Sequence, residues 1–375
     1  MARTIEGLNE GGLWSGDNKE IVVKGCDPEI QVQFRIFNSR FTQLLGNFYE
    51  RYSTIGGVLR LRGLGDIAKA YFSTIPVDNL LTSQSVLNAL NIDFSIISTN
   101  PSTPRFGFSQ LYYYSAFPLD YSDNPDKYKL FLTRFHQKTL FPDQVDYISF
   151  IDHGQKLVIG VYYMVGTQIA YKTCEITGSA TKAIYTRNLS LSQLVILLSE
   201  NGVDTYEDFI LNFDLFLYDE DVLIDTISYK INRKTPFLRT DLLYYNLFGC
   251  PEVLTISGQR KRSGDLGATF LSVDTGYQKV NTDLILKNES YTGYISADER
   301  DAAYDLVCSE PVYICQDGRL QRITILDIDF SETEPHTEPI CLRLTYRKTD
   351  STRQRTFTRG ETVGSFDETF DNTFY

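Results

Sequence analysis

Ile30, Val32, Phe34 and Ile36 alternate with Glu29, Gln31, Gln33 and Arg35, a period of two that a pleated strand sorts into one apolar and one polar face. The same pattern recurs along most of the chain and sets the fold class as mainly β, with tandem β-sandwich or barrel domains and short flanking helices. Strands are expected at 92–98, 106–115, 128–136, 147–151, 156–165, 168–176, 209–218 and 222–231, and again at 253–259, 269–274, 284–295, 312–315, 319–330 and 341–347. The 25 Tyr and 24 Phe, against one Trp and two Met, suit half-buried pleated surfaces.

A chain of 375 residues exceeds what one core usually serves. It divides into an N-terminal β-hairpin and helix region (1–85), a central β-rich domain (86–233), a C-terminal β-sandwich with one helix (234–350) and an extended arm (351–375). In the first region, a strand at 45–52, the Gly56-Gly57 turn and a return at 58–62 read as a hairpin, and Leu64, Ile67, Ala70 and Tyr71 recur at helical spacing. Two further helices announce themselves by their caps. Ser190 and Gln193 precede the apolar face of Leu191, Leu194, Val195 and Leu198, with Asn201-Gly202 as the stop. Ser296 and Glu299 precede Ala303, Leu306 and Val307. A different rhythm opens at Tyr245-Asn246-Leu247-Phe248-Gly249-Cys250-Pro251-Glu252.

The net charge of −12 argues against specific nucleic-acid binding, which needs clustered cations. The densest basic run, Arg260-Lys261-Arg262 between Gly258 and Gly264, reads as an exposed turn and lacks the Gly-Lys-Ser/Thr of a phosphate-binding loop. No apolar stretch of the length a signal or membrane span requires occurs, so a soluble protein without a membrane partner is expected, and export as a surface or fimbrial subunit is disfavoured. Six dispersed cysteines then read as free thiols.

Catalytic material is scarce. His136, His153 and His336 are the histidines, no Gly-x-Ser-x-Gly elbow exists, and Cys308 and Cys315 have no His beside them for zinc. Asp219-Glu220-Asp221 and Asp327/Asp329 lack a calcium loop's glycine and distal glutamate. No catalytic, metal or cofactor-binding residue is assigned, no cofactor is expected, and a non-enzymatic role is preferred. The alternative is a carbohydrate-binding module or glycan hydrolase, which needs only two placed carboxylates and aromatic platforms. Tyr112-Tyr113-Tyr114, Tyr162-Tyr163 and Tyr244-Tyr245 could stack on sugars, but neighbours on a strand point to opposite faces, which favours packing.

At the C-terminus Arg353, Arg355 and Arg359 precede Phe366-Asp-Glu-Thr-Phe370-Asp-Asn-Thr-Phe374-Tyr375, a repeat of period four. It reads as a frayed end or as a partner-binding arm that docks Phe366, Phe370 and Phe374 on a neighbouring subunit, and the regular aromatics favour the arm. Together with the Leu247–Glu252 motif, this tail resembles proteins of tailed bacteriophages and prophages from Bacteroides-type gut bacteria that look like tail or baseplate components. The resemblance covers roughly the last third of the chain. It implies a tail-tube-like C-terminal domain in a virion structural protein of the tail tube, tail tip or baseplate, assembled in the host bacterial cytoplasm. It also implies self-association into a symmetric ring and contacts with other tail or baseplate proteins.

Overall fold

The computed structural model describes residues 3–9, 11–38, 41–72, 85–87, 89–116, 130–177, 184–234, 239–273, 276–316, 319–330, 340–348 and 353–355. The architecture is mainly β, in several sheets with a few short helices. Strands β1 (Thr4–Glu6), β2 (Leu13–Trp14), β3 (Ile21–Lys24), β4 (Glu29–Asn38), β5 (Leu44–Ser53), β6 (Val58–Leu61), β7 (Ser85–Leu87), β8 (Leu90–Ser98) and β9 (Phe106–Tyr113) open the chain. β1, β3 and β6 make one sheet, and β2, β9, β8, β4 and β5 make a second in that order. The alternation of β4 brings Ile30, Val32, Phe34 and Ile36 into one core with Ile21, Val23, Leu59 and Leu61 of the facing sheet. The short helix Leu64–Lys69 adds Leu64 and Ala68 to that core.

The hairpin expected over 45–62 does not form: β5 pairs with β4, and β6 pairs with β3. Gly56 and Gly57, with φ of 63° and 75°, carry the chain from one sheet to the other. Crossing wins because it sets Leu59 and Leu61 against the opposite sheet, where both are buried. β8 and β9 also hydrogen-bond into the β4 sheet, so the N-terminal sandwich runs past residue 85 to Tyr113.

The middle of the chain contributes β10 (Gln137–Leu140), β11 (Tyr147–Ile151), β12 (Lys156–Val165), β13 (Gln168–Thr177), β14 (Ile184–Asn188), β15 (Ile210–Asp219) and β16 (Val222–Ile231). β10, β16, β15, β12 and β13 form a sheet whose inner face packs on the helix Leu191–Glu200 and on Ile148 and Phe150 of β11. That helix is capped as its sequence requires. The Ser190 hydroxyl accepts from the Gln193 N–H at 3.4 Å, and Gly202 follows at φ 78°. Residues 130–136 of the strand expected at 128–136 run irregularly instead. Only isolated backbone contacts replace a ladder, the Phe131–Phe150 bridge with the Leu132 N–H on the Ser149 carbonyl and the His136 carbonyl accepting from the Ser228 N–H, while the Phe131 N–H turns to the Asp225 side chain.

β17 (Thr240–Tyr245), β18 (Pro251–Ile256), β19 (Arg260–Val273), β20 (Gly276–Ile295), β21 (Val312–Gln316), β22 (Arg319–Phe330), β23 (Ile340–Lys348) and β24 (Arg353–Arg355) complete the fold. They form an eight-stranded sheet in the order β18-β17-β21-β22-β23-β20-β19, with β24 on β20. β18 and β19 follow one another in sequence yet lie at opposite ends of this order, so the sheet curls back on itself. The Tyr291 N–H bonds the Gln259 carbonyl at 2.9 Å at the point of return, and a Cβ on Gly258 would lie 2.1 Å from the Tyr291 carbonyl oxygen. Arg260-Lys261-Arg262 therefore begins an edge strand rather than forming a turn, because Gly258 and the Tyr291 contact make the corner two residues earlier. The helix Ala297–Cys308 packs Ala302, Ala303 and Leu306 against Leu242, Tyr244 and Leu344 of this sheet. Its capping box is complete, with Ser296 and Glu299 each bonding the other's backbone N–H. Ser296→Ala is expected to lower stability by about 1 kcal/mol, read as a shifted midpoint in urea unfolding.

A further core joins all three regions. Trp14 packs its ring 5.4 Å from Phe248 and 5.5 Å from Tyr113, measured between centroids. Around them lie Tyr147 and Ile151 of β11 and Leu243 and Tyr245 of β17, all buried. β11 and β17 thus bury both faces, one toward this shared core and one toward their own. No helix among the described residues is long and apolar enough to cross a membrane.

Candidate functional site

Beside the shared core lies a buried ionic cluster. β10 supplies Lys138, the loop before β11 supplies Asp146, and β18 supplies Glu252, with side chains 8%, 2% and 3% exposed. Lys138 Nζ lies 2.7 Å from Asp146 Oδ2 and 3.6 Å from Glu252 Oε1, a charge contact without hydrogen-bond alignment. It also sits 4.6 Å from the centroid of the Phe135 ring. Each carboxylate is held by further donors. Asp146 accepts from the Tyr229 hydroxyl at 2.9 Å and the Val253 N–H at 3.2 Å. Glu252 accepts from the Tyr244 hydroxyl at 3.0 Å, from the Asn246 amide at 3.3 Å and from Thr133.

The Asn246–Glu252 motif is the frame for this arrangement. Asn246 Oδ1 accepts from the N–H groups of Phe248 and Cys250, each at 3.1 Å, while its amide nitrogen donates to the Leu132 carbonyl at 2.8 Å. Gly249, at φ 69°, lets the turn close, and Pro251 and Glu252 then start β18. A second ion pair flanks the first. Arg134 grips Asp305 through two bonds of 3.0 and 3.1 Å, and Asp305 also accepts from the Leu247 N–H at 3.4 Å. Together these bonds tie the 130–138 segment to the C-terminal unit.

Burial, the larger effect, pushes the Glu252 carboxyl above its ordinary value of 4.5, and the nearby Lys138 opposes this. A group raised on folding binds more protons folded than unfolded, so its contribution to stability falls as pH rises above 4.5. Glu252→Gln removes that slope. The stability of E252Q relative to the parent chain is expected to climb between about pH 4.5 and 7, measured by urea unfolding across that range. A difference that falls over this range would refute the direction. Burial likewise raises the Tyr229 and Tyr244 hydroxyls, which keeps them protonated as donors to the two carboxylates.

In front of Lys138 opens a cleft of about 500 Å³. Thr139, Lys230, Asn232 and Thr255 line it, with Ser296 and Asp298 at its rim. Asp146 and Glu252 do not line this cleft; they lie behind Lys138, bonded to tyrosines, backbone and amide. His136 is exposed at the edge of β10, and His153 lies in the turn after β11. His336 falls outside the described residues. No cluster of three or more metal-ligating side chains occurs among the described residues, and the six cysteines are free.

Several sheets end, among the described strands, in edges that also expose apolar side chains. β5 ends its sheet and exposes Leu44 and Tyr49, with Phe41 beside them. β13 ends the central sheet and exposes Ile169 and Tyr171, with Val165 across the turn. β19 ends the C-terminal sheet and forms with β20 a long hairpin; β20 pairs with β23 only from Asn288 onward. Of the aromatic clusters, Tyr112, Tyr113, Tyr163, Tyr244 and Tyr245 are buried. Tyr162 instead faces outward, its ring 4.6 Å from that of Tyr171. Phe366, Phe370 and Phe374 lie outside the described residues.

No protein-family model matches the chain, and no curated protein matches it. Among solved structures, squid arrestin is similar at 11% identity over 59% of this chain and 90% of that one, with a TM-score of 0.16. A superposition that loose defines no shared fold.

Proposed function

We propose that this chain is a non-enzymatic structural protein that assembles with copies of itself, and that the assembly is the tail tube, tail tip or baseplate of a tailed bacteriophage. One observation carries the reading: among the described strands, β5 and β13 end their sheets in uncovered edges, and they expose Leu44, Tyr49, Ile169 and Tyr171. Long open edges with apolar side chains are a liability that proteins blunt unless a partner covers them. The phage assignment adds the resemblance of the Leu247–Glu252 motif and the phenylalanine-bearing tail. Ring formation, contacts with other tail proteins and residence in the virion belong to the same proposal. Sedimentation and negative-stain microscopy of the purified chain test it. Rings or stacked rings are expected, and a monomer at every accessible concentration would overturn it.

A carbohydrate-binding reading retains one supporting observation, the outward pair Tyr162 and Tyr171. Gly160 lies beneath the Tyr171 ring, and Asp214 stands opposite Gly160 in the register. Glycan-array binding that is lost on Tyr171→Ala would favour it over assembly alone, and silence on the array would remove it.

A further inference from the structure

We propose that the C-terminal segment 356–375 of one copy adds to the open β19 edge of a second copy, held there by Arg260, Lys261 and Arg262. It rests on the self-association proposed above and names the contact that drives it. β19 pairs with β20 alone among the described strands, which leaves its outer N–H and C=O groups available to an added strand. Its first residues, Arg260, Lys261 and Arg262, are all exposed. Arg260 bonds the Arg239 carbonyl and the Thr240 hydroxyl, and Lys261 stands opposite Glu289 in the register. A chain of net charge −12 thus places its densest basic run on a strand edge that no described strand covers.

The segment that follows β24 is the complement. It carries Glu361, Asp367, Glu368 and Asp371 against Arg359 alone, and spaces Phe366, Phe370 and Phe374 so that an extended strand presents them on one face. The direction of β24 favours a second copy over the chain's own edge. Arg353, Gln354 and Arg355 pair with Leu284, Asp283 and Thr282, so the chain leaves β24 heading for the hairpin tip. Arg260 lies the other way. It pairs with Ser290, roughly 26 Å of strand back from Ala268, the residue opposite Thr282. Residues 356–375 reach about 66 Å when extended, enough to span to a neighbour without doubling back.

Sedimentation velocity on the full chain tests this with two charge reversals, R260E/K261E/R262E and D367K/E368K/D371K. Each is expected to raise the self-association Kd at least about tenfold, and to do so with far-UV circular dichroism unchanged. Mixing the two variants is expected to restore association, because the unaltered tail of the first then meets the unaltered edge of the second. Salt should weaken the parent contact between about 50 and about 500 mM, as screening of exposed charge requires. A parent chain that assembles while neither reversal affects it would overturn the tail contact and leave the assembly reading standing. Reversals that weaken association without rescue on mixing would overturn docking in trans. A parent chain that stays monomeric would remove both.

Discussion

Replacing Lys138 by methionine is expected to destabilise the folded chain by about 3–5 kcal/mol, the loss that follows when a buried ion pair is broken from one side. The carboxylates of Asp146 and Glu252, 2% and 3% exposed, would remain in the seam without their cation. Their other donors, the hydroxyls of Tyr229, Tyr244 and Thr133, the Asn246 amide and the Val253 N–H, are neutral and cannot replace a charge. Guanidinium unfolding of K138M against the parent chain measures the loss. Removing the charge altogether should return most of it: K138M/D146N/E252Q keeps acceptors for the tyrosines and the backbone but buries no ion, and it should recover at least about half of the K138M deficit. Equal midpoints for K138M and the parent would mean that the ammonium holds nothing. Such a result would remove the cluster as the tie between the central and C-terminal units.

This cluster was the part of the molecule least visible from the sequence. Strands such as Tyr147–Ile151, Lys156–Val165, Val222–Ile231 and Arg319–Phe330 follow from their patterns to the residue, because the apolar patterning and the turns that bound each strand are written within the stretch itself. The Ser190 and Ser296 caps are equally local. Lys138, Asp146, Tyr229, Tyr244 and Glu252 come from five separate elements, and no spacing rule connects them. One clue was available: Glu252 follows Pro251 directly ahead of the apolar run Val253-Leu254, and Asp146 adjoins the wholly apolar-flanked strand at Tyr147. A charge beside a fully buried strand needs a partner. The misread hairpin at 45–62 failed for a related reason, since a Gly-Gly turn permits both a hairpin and a change of sheet, and the choice lies with the distant strands β3 and β4. The basic run at Arg260 is equally compatible with a turn in sequence, and only the distant Tyr291 of β20, which bonds Gln259 and crowds Gly258, puts the corner ahead of it.

Gly249→Ala is the other change expected to be costly, by about 2–4 kcal/mol, because two independent penalties meet at one position. Gly249 sits at φ 69°, where a Cβ is strained. The same Cβ would also stand 2.5 Å from Cδ1 of the Tyr114 ring, which is only partly exposed and packs edge-on against Phe72 at 5.6 Å. The two costs can be separated. Tyr114→Ala in the same chain opens the space and should remove the steric share of about 1–3 kcal/mol, while the backbone share of about 1–2 kcal/mol stays. G249A and Y114A should therefore couple strongly in a double-mutant cycle. Trp14 gives a local readout, since it is the single tryptophan, is 5% exposed and packs on Phe248. If the motif frames the shared core, G249A shifts Trp14 emission to the red at denaturant concentrations where the parent chain is still folded. An unshifted emission with an unchanged midpoint would mean that the turn accepts a side chain, and that Asn246 alone, through its bonds to Phe248, Cys250 and Leu132, sets the geometry of the motif.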